Sequence, residues 1–344
     1  MSAAMRLTVR TSAGTATLAL LNTIHDGEIQ PMRILDTSEV RASEIDGLGH
    51  MNVRFYMERA LRANRGLMNG FGLGPDACER RGARLVQLDT YCRYHREQFQ
   101  GATLTVSGGV AEAGEARLTL FYDVANPEKA EVAASFIIVV ALMDRATAQA
   151  LPLPPGVLDA ARATRVDVPE HGRPRTIDLA PPRMDLRLSD VARRLADDAS
   201  DPMSQRLEWR VDAARCDEHG FLADGQDMMF GGWGRPRAAP SDSHGPMTFV
   251  GGEGHRLGWA SLETRMVRVA QPRAGDVLCS IGAEIGLHPK VRHSRRWIFD
   301  AATGALVSLN DNVSIALDLD ARRSIAIPSE VRAQLAGRHL PELA

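Results

Sequence analysis

The sequence predicts an α+β protein made of two similar halves, each an antiparallel curved sheet wrapped around a central helix. Two observations carry this prediction. First, similar residues recur at a nearly constant separation along the chain. Second, in each half a helix pattern precedes a run of strand patterns with alternating polarity, although the second helix pattern is short. Few crossover helices interrupt the strands, which favours the α+β class over a parallel α/β sheet.

The internal repeat rests on residue matches at two separations. Leu88 matches Leu262 at a separation of 174 positions, whereas Asp46 matches Asp217 at a separation of 171. Three additional residues between Asp217 and Leu262 account for the difference. Further matches are Gly101 with Gly275, Leu104 with Leu278, Asp144 with Asp318, Pro154 with Pro328 and Val157 with Val331 at 174, and Val40 with Val211 at 171. This shared register predicts that both halves have the same fold.

The first half begins with a strand pattern over 31–43 and a helix pattern over 53–68. The helix pattern has a wide apolar stripe and ends in a glycine-rich stretch. Strand patterns follow at 84–94, 103–110, 118–124 and 133–143, and the second half repeats them at 260–269, 277–285, 291–300, 305–309 and 313–319. A short second helix is expected at 224–230.

A proline-rich, charged stretch over 164–182 predicts a linker between the halves. We therefore expect an N-terminal domain over 1–163, a linker over 164–203 and a C-terminal domain over 204–344. The linker is expected to contain a short amphipathic helix at 188–199.

The composition is that of an ordinary globular protein. Of the 344 residues, 44% are hydrophobic and 24% are charged, and the formal net charge of −2 gives no overall attraction to nucleic acid or anionic membranes. No apolar run is long enough to span a bilayer, and there is no clear signal-peptide core. The four cysteines lack CxxC spacing, and we expect them to be reduced thiols in a cytoplasmic protein.

Several common catalytic signatures are missing from the sequence. It contains no Gly-rich phosphate loop between a strand and a helix, no GxSxG nucleophile elbow and no histidine spacing typical of a metal site. We therefore expect chemistry performed by side chains, without a metal or redox cofactor.

The most informative segment runs Asp46-Gly47-Leu48-Gly49-His50-Met51-Asn52 and is followed by Tyr56. It places a carboxylate, a glycine turn, an imidazole and an amide directly before the predicted helix. A carboxylate at such a position suits attack on a polarised carbonyl, or activation of water towards it. The segment therefore predicts acyl transfer or acyl hydrolysis.

This segment resembles the Asp-x-x-Gly-His-x-Asn-x-x-x-Tyr signature of the hot-dog-fold thioesterases, at Asp46, Gly49, His50, Asn52 and Tyr56. The pattern is similar to the 4-hydroxybenzoyl-CoA thioesterase-like group and to the acyl-ACP thioesterases, and the tandem arrangement looks most like the latter. The resemblance implies two tandem hot-dog domains that hydrolyse an acyl-CoA or acyl-ACP thioester without a cofactor. A homodimer of double hot dogs is a further expectation.

The sequence departs from the plant-type acyl-ACP enzymes in two ways. Those proteins usually carry Asn at the position of Leu48, and they have the intact motif in the second hot dog rather than the first. The resemblance therefore leaves the carrier, CoA or acyl carrier protein, open.

Each motif residue has a functional and a structural interpretation. Asp46 is a nucleophile or general base, or it merely favours the helix dipole. Gly49 and His50 either present backbone N–H groups to an oxyanion or serve as a turn glycine and a structural histidine. Asn52 either caps the helix or positions a water molecule, and Tyr56 either lines the pocket or packs on the apolar stripe.

Outside the motif, four residues are candidates for substrate binding. Asp89 lies on the next strand, where some hot-dog enzymes place an acid, and is otherwise an exposed strand charge. Arg93 lies in a basic cluster with His95 and Arg96. Arg292 and Arg295 belong to a second cluster with Lys290, His293 and Arg296. Both clusters suit CoA phosphates or an acidic carrier protein, and their alternative is a solvated strand face.

The second half carries an altered copy of the motif, from Asp217 to Ala223. Phe221 replaces His50, and Ala223 replaces Asn52. We therefore expect a single working site, in the first half, and an acyl thioesterase. Two alternatives remain: a non-catalytic protein that binds acyl thioesters, and a hot-dog hydratase acting on enoyl-CoA.

Overall fold

The computed structural model describes residues 6–11, 14–19, 32–195, 206–226, 249–250 and 256–343. The helices are α1 (Val53–Gly70), α2 (Pro75–Glu79), α3 (Pro155–Ala163), α4 (Leu188–Ala192) and α5 (Ser329–Ala336). The strands are β1 (Arg6–Thr11), β2 (Gly14–Ala19), β3 (Arg33–Glu39), β4 (Ala83–Tyr94), β5 (Thr103–Ala113), β6 (Arg117–Asn126), β7 (Glu131–Asp144), β8 (Leu207–Arg210), β9 (Phe249–Val250), β10 (Arg256–Arg268), β11 (Val277–Leu287), β12 (Val291–Asp300), β13 (Leu306–Asp318) and β14 (Arg323–Ser324).

Twelve of these strands form one antiparallel sheet, in the order β3-β5-β6-β7-β4-β10-β13-β12-β11-β8, with β9 paired to β10 and β14 paired to β13. Strands β1 and β2 form a separate hairpin. The predicted α+β class is confirmed. The strands predicted at 305–309 and 313–319 are a single strand, β13, because its hydrogen-bonded ladder with β10 continues through Asn310 and Asp311.

The halves meet where β4 pairs with β10. Tyr91 lies opposite Arg265, and these two residues are themselves 174 positions apart. The two flanking pairs are exchanged by the repeat: Glu263 pairs with Arg93 and Val267 pairs with Asp89, and Glu263 and Val267 lie 174 positions after Asp89 and Arg93. An approximate two-fold axis therefore passes between Tyr91 and Arg265, and the sheet continues from one half into the other.

Helix α1 packs across the first half of the sheet, and we call the sheet face that it contacts the inner face. It ends at Gly70, two residues beyond the predicted Met68. Apolar side chains of α1 and of the facing strands share one buried core, because alternate strand residues point to the same side. The buried inner-face residues include Leu104, Val106, Leu118, Leu120, Tyr122, Phe136 and Ile138.

The segment predicted as a linker lies partly on the opposite, outer face of the sheet. The backbone N–H groups of Arg175, Thr176 and Ile177 donate to the Glu263 carboxylate of β10. The helix predicted at 188–199 is α4, Leu188–Ala192; residues 196–199 lie outside the described residues, as do 227–230 of the helix predicted at 224–230. The domain boundaries themselves stay a prediction.

No helix in the part of the chain that the structure describes is both long and apolar enough to cross a membrane.

Candidate active site

The Asp46 segment forms a closed turn that leads into α1. Asp46 donates its backbone N–H to the His50 carbonyl at 3.0 Å, and Gly49 donates to the Asp46 carbonyl at 3.0 Å. Ile45 and Met51 form a β-bridge at the base of the turn. Gly49 has a φ of +82°, a left-handed conformation that favours glycine, so the local sequence suits this turn.

The Asp46 carboxylate is held by two neutral donors. Its Oδ1 accepts the Leu48 N–H at 2.9 Å, and its Oδ2 accepts from Asn52 Nδ2 at 3.2 Å. The nearest basic group is His50, whose Nδ1 lies 3.9 Å from Oδ1. Among the described residues, no lysine or arginine forms an ion pair with Asp46. The carboxylate is therefore oriented but not neutralised.

Asn52 links this carboxylate to the helix. Its Oδ1 accepts the Arg54 N–H at 3.1 Å and so caps the N-terminus of α1, while its Nδ2 donates to Asp46. One amide therefore satisfies a helix N–H and orients the carboxylate at the same time.

Tyr56 is buried one helical turn further on. Its hydroxyl donates to the Arg96 carbonyl at 3.1 Å, and its ring packs edge-on against Tyr94 with centroids 5.8 Å apart. Burial raises the pKa of the Tyr56 phenol, so the hydroxyl stays protonated at neutral pH. This position favours a role in shaping the site over one in proton transfer.

Two residues that the sequence analysis missed lie beside His50. The carboxylate of Glu97 is 3.6 Å from His50 Nε2, so the imidazole lies between Glu97 and Asp46. Arg322 of the second half forms an ion pair with Glu97, and its Nη1 lies 3.5 Å from the Leu48 carbonyl. The site is thus completed across the junction between the halves.

The backbone conformation of Arg322 marks it as unusual, whereas the sequence pattern gives no indication of its role. Arg322 has a φ of +48°, an unfavourable conformation for a residue with a side chain. Its counterpart 174 positions earlier, Ala148, has a φ of +55°. Both halves therefore have the same turn at this position. In the second half the residue is an arginine, and its side chain reaches the Asp46 segment.

The second copy of the motif has the same backbone turn. Asp217 donates its N–H to the Phe221 carbonyl at 2.8 Å, and Gly220 donates to the Asp217 carbonyl at 2.9 Å with a φ of +76°. Asp217 Oδ1 accepts the His219 N–H at 3.0 Å. The two loops therefore differ in side chains rather than in backbone path.

The decisive difference is that Asp217 is paired with an arginine. Arg84 Nη2 and Nε donate to Asp217 Oδ2 at 2.6 and 3.1 Å. The Phe221 ring also has the guanidinium groups of Arg84 and Arg273 each 3.9 Å from its centroid. The residue 174 positions after Arg84 is Gly258, which has no side chain to place beside Asp46. Among the described residues, the motif aspartate is therefore paired with an arginine in the second copy only.

Asp89 and Arg93 lie at the junction of the halves and do not contact the Asp46 segment. Arg265 donates to the Asp89 carboxylate through Nε and Nη2, at 2.6 Å for the shortest contact. Arg93 donates to the carbonyls of His171 and Arg173 and so holds this part of the predicted linker on the sheet. Burial lowers the pKa of His95 to about 4, so its ring adds no charge to the predicted basic cluster at pH 7.

Arg292 and Arg295 are buried within the second half, with exposed fractions of 4% and 9%. Arg292 packs over the Trp259 ring and donates to Ser314, and Arg295 donates to both carboxylate oxygens of Asp311. The structure does not bring these guanidinium groups to the Asp46 segment. Their predicted contact with substrate phosphates stays a prediction without structural support.

No group of three or more His, Cys, Asp or Glu side chains in the described ranges is arranged to hold a metal ion.

Comparison with known proteins identifies the family of the motif-bearing region. Residues 40–161 match the thioesterase-like superfamily. A curated relative, the L-carnitine dehydrogenase/betainyl-CoA thioesterase of a Rhizobium species, is 27% identical over 137 residues, which are 40% of this chain. The matched part spans 27% of the length of that relative, so the comparison concerns only a portion of it.

Two solved structures resemble the chain through both halves. The 12:0-ACP thioesterase of Umbellularia californica has a TM-score of 0.58 at 12% identity, covering 82% of this chain and 93% of that one. An acyl-ACP thioesterase of Bacteroides thetaiotaomicron has a TM-score of 0.55 at 12% identity, covering 81% and 96%. At such identities the likeness establishes the fold alone. The fold is therefore the hot-dog fold, and residues 40–161 match the thioesterase-like superfamily.

Proposed function

We propose that this protein hydrolyses an acyl thioester, carried on CoA or on an acyl carrier protein, at the site formed by Asp46, His50 and Asn52. One observation carries the proposal: Asp46 is oriented with no lysine or arginine partner among the described residues, whereas the equivalent Asp217 is paired with Arg84. Guanidinium donors on a carboxylate oxygen occupy the lone pairs that would attack a carbonyl carbon or accept a proton from water. Asp46 is therefore the carboxylate suited to chemistry.

Asp46 has two routes to the thioester carbonyl. As a nucleophile it attacks the carbonyl carbon, the C–S bond breaks, the thiolate leaves, and water then hydrolyses the mixed anhydride. As a general base it removes a proton from a water molecule that attacks the same carbon. The Leu48 N–H and Asn52 Nδ2 occupy one lone pair on each oxygen, so the carboxylate can act in either way.

The start of α1 supplies donors for the developing oxyanion. The Gly49 N–H is used within the turn, so it is not a candidate. Within the described part of the chain, the N–H groups of His50 and Val53 have no hydrogen-bond acceptor. We assign the oxyanion to the His50 N–H, because the left-handed Gly49 turns the chain immediately before it and α1 begins three residues later.

The His50 ring is suited to proton transfer to the leaving group. It lies between two carboxylates, with Asp46 at 3.9 Å and Glu97 at 3.6 Å. An imidazole in this position is placed to carry a proton to the departing thiolate. Glu97, anchored by Arg322, is therefore part of the proposed machinery.

The proposal is tested with a panel of acyl-CoA and acyl-ACP thioesters and a thiol-detecting reagent. Asp46→Asn is expected to reduce kcat about 10²- to 10⁴-fold, the range for loss of a general base. The matched control is Asp217→Asn, which alters the equivalent carboxylate of the inactive copy and is expected to retain wild-type kcat. Unchanged thiol release by Asp46→Asn would contradict the proposed role.

The same assay separates the alternatives. A binding protein would show ligand-dependent thermal stabilisation without thiol release. A hydratase would consume an enoyl thioester without releasing thiol. A single turnover in ¹⁸O-water identifies the nucleophilic route if water attacks the Asp46 carbon of the anhydride, because an oxygen of Asp46 then leaves in the first molecule of product and ¹⁸O enters Asp46.

A further inference from the structure

Both copies of the motif segment are held by an arginine, but the arginine contacts a different carboxylate in each copy. In the second copy Arg84 donates to Asp217 itself. In the first copy Arg59 of α1 donates through Nη2 to Glu44 Oε2 at 2.7 Å, and Glu44 lies two residues before Asp46. The ion pair of the first copy therefore lies beside the motif aspartate rather than on it.

The backbone before the two aspartates follows the same path, although the residue equivalent to Glu44 is Arg215, 171 positions later. The Glu44 carbonyl accepts the Asn52 N–H at 2.9 Å, and the Arg215 carbonyl accepts the Ala223 N–H at 3.1 Å. A single turn of 3-10 helix ends at this residue in both copies. Because the turn forms with either side chain, the Glu44 carboxylate is not required to form it.

The guanidinium of Arg59 joins three parts of the fold, and we call Arg59 and Glu44 the anchor pair. Nη1 donates to the Phe55 carbonyl of α1 at 3.1 Å, and Nη2 donates to the carbonyl of Glu39, the last residue of β3, at 3.0 Å as well as to Glu44. The Arg59 side chain is only 1% exposed. A buried charge is costly unless it is paired, so these contacts hold the strand, the turn and the helix together.

The anchor pair is connected to the Asp46 carboxylate through short contacts. Ile45, the residue after Glu44, forms a β-bridge with Met51 at the base of the turn. The Glu44 carbonyl accepts the N–H of Asn52, whose Nδ2 donates to Asp46 Oδ2. Movement of Glu44 relative to α1 therefore shifts the turn that presents Asp46.

An arginine on a neighbouring carboxylate fixes the segment without using the oxygens of the motif aspartate. In the second copy the Arg84 guanidinium occupies Oδ2 of Asp217. Asp46 accepts from the Leu48 N–H and from Asn52 Nδ2, and no lysine or arginine among the described residues pairs with it. A carboxylate has about four acceptor sites, so lone pairs remain on both oxygens of Asp46. The anchor pair thus combines a fixed segment with an available carboxylate.

We propose that Arg59 is a positioning residue for the reaction: by holding Glu44 against α1, it fixes the place and orientation of the Asp46 carboxylate at the start of the helix. The inference rests on the proposed thioesterase function and adds to it a buried residue outside the Asp46 segment. The observation that carries it is the change in arginine contact, from the motif aspartate in the second copy to Glu44 in the first.

The first test compares two arginines of α1 that both hold the helix to β3. Arg59→Met is expected to lower kcat about ten- to hundredfold, the scale for a displaced catalytic group, while KM changes less than about twofold. The matched control is Arg62→Met, because Arg62 donates to Asp36 and Ser38 at 2.8 and 2.9 Å rather than to Glu44, and its kcat is expected to be unchanged. Arg59→Lys is expected to recover part of kcat, because an ammonium group pairs with Glu44 but cannot reproduce the contacts of the planar guanidinium.

A second set of variants separates positioning from a general loss of stability. In the Asp46→Asn background, Arg59→Met is expected to lower the residual kcat less than about twofold, because the group that Arg59 positions has been removed. A further loss as large as in the wild-type background overturns the inference, as does a lower Tm of Arg59→Met with unchanged kcat. If Arg59→Met does not fold, Glu44→Ala breaks the same pair from its more exposed side, and an unchanged kcat of that variant overturns the inference.

Hydrogen–deuterium exchange tests the anchor pair independently of the proposed function. Exchange of the peptide that contains residues 41–52 is expected to be faster in Arg59→Met and Glu44→Ala than in the wild type, and unchanged in Arg62→Met. Faster exchange in these two variants alone supports the role of Arg59 in fixing the segment even if no thioester releases thiol, a result that would count only against the proposed function. Equal exchange in all four proteins overturns the inference even if the wild type hydrolyses thioesters.

Discussion

At the scale of single residues, the two aspartates show how a repeat can retain a loop and change the surroundings of its carboxylate. Asp46 and Asp217 have the same turn, but within the described part of the chain only Asp217 has an arginine partner. The motif pointed to Asp46 as a candidate because the residues of the motif are adjacent in the sequence. The neutralising role of Arg84 was not predictable from spacing, because Arg84 lies 133 positions before Asp217 and meets it only through the paired halves. Glu97 was missed because it is far from His50 in the sequence and meets it only in the folded first half.

Arg322 provides a residue-scale prediction. We expect Arg322→Ala to lower kcat about two- to fivefold with a smaller change in KM, because the ion pair that holds Glu97 beside His50 is lost. A change of this size corresponds to about 0.4–1 kcal/mol, the range for a solvent-exposed ion pair. Alanine already occupies the equivalent left-handed position at Ala148, so the turn is expected to persist.

Two controls accompany this substitution. Arg323→Ala removes the adjacent, exposed arginine and is expected to leave kcat unchanged. Arg322→Lys is expected to recover part of the activity, because lysine also pairs with a carboxylate. A loss of kcat in Arg323→Ala as large as that in Arg322→Ala would indicate a general charge effect instead.

At the scale of elements, the strands were more predictable than the connections between them. Strand β12 was predicted at its observed bounds, and the α1 pattern was right to within two residues, because alternation and helical spacing are local signals. The segment 175–180 was predicted only as a linker. Its hydrogen bonds to Glu263 and Arg265 depend on strands more than 80 positions away, and its own sequence carries no periodic pattern.

The attachment of this segment is expected to depend on pH through Glu263. Burial opposes ionisation of this carboxylate, but the N–H groups of residues 175–177 and the Tyr91 hydroxyl outweigh it, and the pKa of Glu263 is lowered. A lowered pKa in the folded state stabilises the attachment above the unfolded pKa of about 4.3. This contribution is lost as the pH falls through the folded value.

Hydrogen–deuterium exchange of the peptide that contains residues 175–177 measures this effect. Protection is expected to be constant from pH 7 to about pH 5 and to fall at lower pH, after correction for intrinsic exchange. Glu263→Gln is expected to show reduced protection already at pH 7. Glu170→Gln, at an exposed position of the same segment, should behave as the wild type, and equal protection in all three proteins would contradict the assignment.

At the scale of the whole molecule, the halves form one structural unit rather than two domains joined only by a chain. The ladder between β4 and β10 makes the sheet continuous, and Arg322 of the second half reaches the site of the first. The repeat predicted two equivalent halves, but it could not predict which strands meet. Side chains on the outer face that cross this junction, such as Asp89 and Arg265, have no recognisable spacing.

The final prediction concerns this junction. Arg265 is buried and donates to Asp89 and to the carbonyls of residues 178–180, so Arg265→Met leaves a carboxylate and three carbonyls without their donor. We expect a loss of about 3 kcal/mol in unfolding free energy, the scale for breaking a buried ion pair. Because the sheet is continuous, calorimetry of Arg265→Met should show a single unfolding transition at a lower temperature than that of the wild type. Two transitions with only one shifted would show that the halves unfold independently. Combining Arg265→Met with Asp89→Leu should recover part of the loss, because the unpaired carboxylate is then removed.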